Sequence, residues 1–344
     1  MRLVMMGTGT FAEPTFEALI AAFGGGVVGL ITQPDRDAGS KRGSTRQTGK
    51  GMANIARAAN VPVAQPESIN TPEGLELLRG MQPDLLVVAA YGQILSKDVL
   101  SVPARGTINV HASLLPKYRG AAPVAYAILG GEQQTGVTII KVTPGLDSGD
   151  MIVQESLDIL PDDTTGSLEA RLATLGARLA VEVAHKYAKG GPIEGVKQDP
   201  ALVTKAPKIK KEFGLIDWTK PADYIERFVR AMQPWPTAYT FLHRPGKDPM
   251  RVIVNRIAEY PGAWIRDTDL PTGSVLSTIR PAPIAGNDLG STPVNNRLFV
   301  TNGGNFAAEV FDLQPAGKKK MTAEEFLRGY PIVDGMRFGP EVLA

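Results

Sequence analysis

The chain opens on an unbroken apolar run, Leu3-Val4-Met5-Met6, followed by Gly7-Thr8-Gly9 and then by Phe16-Glu17-Ala18-Leu19-Ile20. This order reads as a buried strand, a tight glycine turn and a helix. Residues 27–32 predict a second strand, 52–59 a helix, 61–63 a short strand, 74–80 a helical turn and 84–90 another strand. The run Leu85-Leu86-Val87-Val88-Ala89-Ala90 is apolar at every position, as suits a central parallel strand covered on both faces. Residues 106–111 and 136–142 predict two more strands on either side of a helix-like segment, 122–129. Between 166 and 188, Leu168, Leu172, Leu175, Leu179 and Val183 recur at helical spacing, so a long helix is expected to cover the sheet. The first part of the chain therefore predicts an α/β domain over residues 1–189, built on a doubly wound, mostly parallel, Rossmann-like sheet.

The pattern changes between 190 and 211. Gly190-Gly191-Pro192, Pro200 and Pro207 interrupt regular structure, and Lys205, Lys208, Lys210 and Lys211 add positive charge. This stretch predicts a basic linker. After an amphipathic helix at 221–232, short β-type runs at 238–242, 251–258, 273–277, 297–301 and 307–313 alternate with glycine and proline turns. Residues 212–344 are thus expected to form a smaller β-barrel domain.

Composition agrees with two folded domains. The chain has 344 residues, 43% hydrophobic and 21% charged, and carries no long low-complexity tract. The absence of cysteine excludes disulfides, thiolate nucleophiles and cysteine-ligated metal centres. His111, His185 and His243 are too dispersed to suggest a metal cluster, so no metal is expected. Glycines break the apolar N-terminus before a signal-peptide core or membrane span can form, which makes a cytoplasmic protein with no membrane partner the simplest expectation. Formal net charge is only +2, but Arg36, Lys41, Arg42, Arg46 and Lys50 face a single acid, Asp37, among glycine, serine and threonine. With no apolar residue to anchor it, this basic loop is expected to be disordered on its own.

Candidate chemistry starts with Asn109 and His111. Two apart on a predicted strand, they point to one face while Val110 points to the other, so both can act on one substrate atom. A hydrogen-bonded structural histidine beside a strand-end asparagine is the competing reading. The glycine turn Gly7-Thr8-Gly9-Thr10-Phe11-Ala12 also fits the dinucleotide fingerprint G-x-G-x-x-A, although a close strand-to-helix turn needs glycine whatever it binds.

Context around the pair is more specific. Asn109-Val110-His111-Ala112-Ser113-Leu114-Leu115-Pro116-Lys117-Tyr118-Arg119-Gly120, then Gly136-Val137-Thr138, then Gly145-Leu146-Asp147-Ser148-Gly149-Asp150, resembles the folate-dependent formyltransferases. The resemblance implies that Asn109, His111 and Asp147 are the catalytic set. It also implies that Ser113, Leu114, Leu115 and Pro116 contact the folate, and that the backbone of the segment carrying Tyr91 and Gln93 lines the pterin pocket. The formyl donor so implied is 10-formyltetrahydrofolate. The chemistry is coherent: a neutral amine attacking a formyl carbon develops negative charge on oxygen and positive charge on nitrogen. Asn109 and His111 can donate to the oxygen, while Asp147 accepts a proton from the amine or fixes the tautomer of His111.

Among these enzymes the chain resembles the methionyl-tRNA formyltransferase family. Thr32-Gln33-Pro34-Asp35-Arg36 leads into a basic loop similar to the segment by which that family reaches the tRNA acceptor stem. Ala206-Pro207-Lys208-Ile209, Ile216-Asp217-Trp218, Pro234-Trp235-Pro236-Thr237-Ala238-Tyr239 and Leu313-Gln314-Pro315-Ala316-Gly317-Lys318-Lys319-Lys320-Met321 resemble its C-terminal domain, which is OB-like. The implied acceptor is initiator methionyl-tRNA. Arg36, Lys41, Arg42, Arg46, Lys50 and Lys208 are the candidate phosphate contacts. The loop departs from the family in carrying Asp37 where proline is frequent. Trp218, Trp235 and Tyr239 are expected in the core rather than as base-stacking platforms. A monomer is expected. A formyltransferase acting on an amino sugar nucleotide, a 10-formyltetrahydrofolate hydrolase and a non-catalytic tRNA-binding protein are the alternatives.

Overall fold

The computed structural model describes residues 1–34, 49–191, 193–264, 270–277, 297–304 and 306–343. The chain divides into two compact units: Met1–Ala127 with Glu132–Ile209, and Ile128–Gly131 with Lys210–Ala344.

In the first unit, β1 (Leu3–Gly7) leads through α1 (Glu13–Phe23) to β2 (Val27–Ile31), and α2 (Met52–Ala58) leads to β3 (Val63–Ala64). Helix α3 (Pro72–Gly80) precedes β4 (Leu85–Ala89), and the short α4 (Lys97–Leu100) precedes β5 (Thr107–His111). These five strands are parallel, in the order β3-β2-β1-β4-β5. All five residues of β1 and of β4 are buried, which is what a run apolar at every position requires of a strand covered on both faces.

Two antiparallel strands, β7 (Gln134–Lys141) and β8 (Met151–Asp158), extend the sheet beyond β5. Between them and β5 lie β6 (Arg119–Gly120) and α5 (Pro123–Leu129). The hydrophobic pattern does not announce β8. Among the described residues it pairs with β7 along its length and with Val196 only through a single bridge at Met151, and half of its residues face solvent.

Helix α6 (Thr165–Lys189) begins on a capping box between Thr164 and Ser167 and buries Leu168, Leu172, Leu179 and Val183. It approaches β5 closely: a Cβ built at Gly176 would stand 2.6 Å from Val110 Cγ1. Val110 therefore faces α6, and Asn109 and His111 face the other way.

The first unit runs through Ile209, past the boundary expected at 189. Residues 193–209, expected as a linker, are hydrogen-bonded into it. Met151 and Val196 form an antiparallel bridge, and β9 (Lys205–Ala206) pairs in parallel with β6.

In the second unit, α7 (Ala222–Ala231) buries Ile225, Phe228 and Val229. Its strands are β10 (Tyr239–Arg244), β11 (Lys247–Trp264), β12 (Val275–Leu276), β13 (Leu298–Val300), β14 (Phe306–Pro315), β15 (Met321–Thr322) and β16 (Arg337–Gly339). They form the antiparallel path β12-β13-β14-β11-β10-β16, with β15 on β14. The two ends of the path meet: Val275 N donates to Met336 O, Phe338 N donates to Gly273 O, and Ser274 bridges Arg337. The sheet closes on itself as a small barrel. Helix α8 (Ala323–Gly329), not anticipated from the sequence, begins on a capping box of Thr322 and Glu325 and buries Phe326. Trp218 is a core residue, stacked on Phe338 and donating to Thr240 Oγ1 at 3.0 Å. Trp235 and Tyr239, expected beside it in the core, are only half-buried, and Arg251 lies over the Tyr239 ring.

Ala90, which follows β4, adopts φ 47° with its side chain exposed. This left-handed conformation burdens any residue with a Cβ. Ala90→Gly is expected to raise stability by about 0.5–1 kcal/mol, read from the urea midpoint at unchanged slope.

Candidate functional site

Strand β5 places Asn109 and His111 on the face turned away from α6, with His111 as its last residue. The imidazole is 5% exposed, and its Nε2 lies 3.0 Å from the carbonyl oxygen of Tyr118. A carbonyl only accepts, so Nε2 carries the hydrogen. Nδ1 is then the ring nitrogen that faces Asp147, 3.7 Å from Oδ2. Asp147 sits in the loop joining β7 to β8, which folds back over β5. Its Oδ2 accepts from Gly120 N at 2.9 Å, and its Oδ1 lies 3.5 Å from Asn109 Nδ2. The structure thus brings Asn109, His111 and Asp147 into one cluster around the Asp147 carboxylate.

The backbone here is held away from its preferred conformations. Tyr118 has φ 62° and Asp147 φ 46°, both in the left-handed region that costs a residue with a side chain about 1–3 kcal/mol. Hydrogen bonds on each side oppose that cost. Tyr118 N donates to Thr204 Oγ1 at 2.8 Å, and Tyr118 OH donates to Glu132 Oε1 at 2.7 Å.

The segment of residues 113–116 is built from within. Ser113 is fully buried and its hydroxyl donates to Lys117 O. Thr138, opposite His111 in the sheet register, donates to Ser113 O at 2.7 Å and accepts from Leu115 N at 3.1 Å. Gln154 Nε2 lies 2.9 Å from Leu115 O and 2.8 Å from Thr138 Oγ1. A Cβ on Gly136 would stand 2.1 Å from Glu155 O and 2.5 Å from Leu114 Cδ2, so only glycine leaves room there. Ser113 and Leu115 are thus buried within the segment expected to contact the folate. Leu114 and Pro116, each partly exposed, are the side chains left to meet a ligand.

Tyr91 and Gln93 lie in the segment whose backbone is expected to line the pterin pocket, and their side chains turn inward. The Tyr91 ring lies in the core with Leu86, Val88, Leu95 and Val99, its hydroxyl has no hydrogen-bond partner among the described residues, and burial pushes its pKa up to about 12. Only its backbone carbonyl reaches outward, accepting from Gln33 Nε2 at 3.2 Å. The Gln93 side chain accepts from Ile69 N and donates to Glu67 O, which fixes the loop. Two apolar side chains not singled out in the sequence are left open instead: Ile94 is 73% exposed and Leu146, immediately before Asp147, is 60% exposed. Their signal was available as apolar residues inside glycine-rich loops at the motif.

Of the candidate cations, Arg36, Lys41, Arg42 and Arg46 lie outside the described residues. Lys50 is exposed and paired with Glu17 at 2.6 Å, a contact that raises its pKa. Its backbone N–H and that of Gly51 donate to the Glu13 carboxylate. Lys208 is exposed. Gly7 has a packing reason independent of any nucleotide, since a Cβ there would stand 2.8 Å from Ala12 Cβ and 2.9 Å from Ala89 O. Among the described residues no group of three or more histidine, aspartate or glutamate side chains is arranged to hold a metal ion, and no helix is long and apolar enough to cross a membrane.

The clustered set and the α/β unit that carries it define a formyl transferase: the Formyl transferase family matches residues 1–184, and the Formyl transferase, C-terminal domain family matches 208–331. The chain is 42% identical to a methionyl-tRNA formyltransferase of Moorella thermoacetica over 98% of this chain and 99% of that one. It is 43% identical to one from Acidithiobacillus ferrooxidans over 96% of each. It belongs to the methionyl-tRNA formyltransferase family. The crystal structure of the N-formyltransferase from Helicobacter canadensis, in complex with folinic acid and dTDP-3-aminofucose, shares the fold with a TM-score of 0.61 at 16% identity, covering 90% of this chain and 98% of that one.

Two substitutions test this description. Tyr91→Phe removes an unpartnered buried hydroxyl, so stability is expected to hold or rise and the folate KM to stay within about twofold; a large KM increase would put the phenol in the ligand site. Thr138→Val keeps shape but strands Leu115 N and Ser113 O, and is expected to cost about 1–3 kcal/mol in urea unfolding.

Proposed function

We propose that the chain transfers the formyl group of 10-formyltetrahydrofolate to the amino group of methionyl initiator tRNA, using Asn109, His111 and Asp147. The observation that carries this reading is the Asp147 carboxylate, held by the Gly120 amide within reach of both other side chains.

The amine lone pair adds to the formyl carbon, negative charge moves to the formyl oxygen, and the nitrogen becomes positive. Asn109 donates an amide hydrogen to that oxygen. His111 presents Nδ1 to the same region. For Nδ1 to donate as well it must carry a proton, and the Asp147 carboxylate opposite it compensates the positive charge of the ring. Asp147 also accepts the proton that the attacking nitrogen sheds. Collapse of the tetrahedral species breaks the bond to the folate N10, which takes a proton as it leaves. Each group meets charge that is larger in the transition state than in either reactant, which is where stabilisation raises turnover.

Ile94, Leu146, Leu114 and Pro116 offer apolar surface suited to the ring faces of a folate, whose polar edge groups need hydrogen-bonding partners. Lys50 and Lys208, with the arginine and lysine residues of 36–46, supply the charge that tRNA phosphates need. A monomer acting in the cytoplasm is part of the same reading. The second reading, transfer to an amino sugar nucleotide, rests on a fold shared at low identity. Fold alone does not carry an acceptor.

Purified protein supplied with 10-formyltetrahydrofolate and, in parallel, charged initiator tRNA, charged elongator tRNA or an amino sugar nucleotide is expected to formylate the initiator. Asp147→Asn and His111→Ala are each expected to lower turnover at least about 100-fold while remaining folded by circular dichroism. Preference for the sugar, or near-normal turnover by either variant, would overturn the assignment.

A further inference from the structure

Asp147 makes two kinds of contact. Its carboxylate meets Gly120, Asn109 and His111, and its backbone carbonyl meets a residue from a different part of the chain. Gln198 Nε2 donates to Asp147 O at 2.7 Å and to Gly149 O at 2.9 Å. Gln198 Oε1 accepts from Arg119 Nε at 3.0 Å and from Arg119 Nη2 at 2.8 Å. The amide thereby uses both hydrogens and both lone pairs. Its orientation is determined, because a guanidinium only donates and the two carbonyls only accept.

The partners on either side are both site elements. Arg119 is the neighbour of Gly120, whose N–H holds the Asp147 carboxylate, and the strand of Arg119 and Gly120 pairs with Lys205 and Ala206. Gln198 thus ties the 147–149 loop to the strand that receives the Asp147 side chain. It does so at a residue whose φ of 46° the local chain alone disfavours.

We propose that Gln198 is a positioning residue for formyl transfer, setting the distance and direction of the Asp147 carboxylate toward Asn109 and His111. This rests on the catalytic reading of Asp147 above. Gln198 does not touch the reacting atoms. Its removal should therefore act through misplacement of Asp147, and a displacement of about 1 Å in such a group costs on the order of 100-fold in rate.

Gln198→Ala and Gln198→Glu, assayed in the full-length protein with 10-formyltetrahydrofolate and charged initiator tRNA, separate positioning from general support. Gln198→Glu keeps the size of the side chain and its bond to Arg119, and so preserves folding. It replaces the donating NH2 with an oxygen that faces two carbonyl oxygens. Both variants are expected to lose about 10- to 100-fold in kcat, with each KM within about twofold. A normal kcat in Gln198→Glu overturns the proposal, as does a loss confined to KM. Should Gln198→Ala fail to fold, Gln198→Glu decides alone. Asp147→Asn is run beside them: if it keeps normal turnover, the catalytic reading fails and the inference with it. If it is inactive while Gln198→Glu is normal, only the positioning role fails.

Discussion

The hydrogen bond from the Gly120 amide to the Asp147 carboxylate, 2.9 Å long, is the contact on which the site depends. Asn109 and His111 need no special device, because they sit on a central strand whose position the core dictates. Asp147 comes from a loop with an unfavourable backbone conformation, and a carboxylate on such a loop has many places to point. One backbone donor, fixed by strand pairing between β6 and β9, selects among them. The pairing in turn needs residues 204–206 to lie against 118–120, where Thr204 binds Tyr118 N through its hydroxyl and Arg119 N through its carbonyl. The aspartate is therefore positioned by chain some sixty residues downstream.

The same logic explains why the Gly-Val-Thr triplet belongs to the motif although all three of its members are buried. Gly136 leaves space that Leu114 and Glu155 O fill, Val137 is buried, and Thr138 satisfies both ends of the turn after His111. A buried turn cannot leave its N–H and carbonyl groups unpaired without loss of about 1–3 kcal/mol each. The threonine hydroxyl, donor and acceptor at once, meets both needs with one atom. What looks in the sequence like a second functional motif is the foundation of the first.

Much of this was legible from residue order. The parallel strands follow from runs that are apolar at every position, and α6 from its leucine spacing, because burial on two faces and on one stripe leave different patterns. The clustering of Asn109, His111 and Asp147 followed from resemblance, not periodicity. Strand β8 was hidden because an edge strand with exposed positions shows neither pattern. Residues 190–209 read as a linker because glycine, proline and lysine usually mark one, yet Gln198, Thr204 and Ala206 bond into the site. Those bonds run largely to backbone groups, which carry no residue-type signal. Tyr91 and Gln93 lie in a segment matched through its backbone, and their side chains turn to the core and to the loop itself.

The site also limits what can distinguish one formyl acceptor from another. In the proposed reaction Asn109, His111 and Asp147 address an amine nitrogen and a formyl oxygen, and every amine acceptor presents the first while every formyl donor presents the second. Such a set is indifferent to whatever bears the amine. Discrimination must then come from groups that meet the acceptor away from its nitrogen. Lys208 lies two residues beyond β9, on the segment that braces Asp147. On the proposed reading, charge that meets the acceptor and the backbone that positions the aspartate share one stretch of chain.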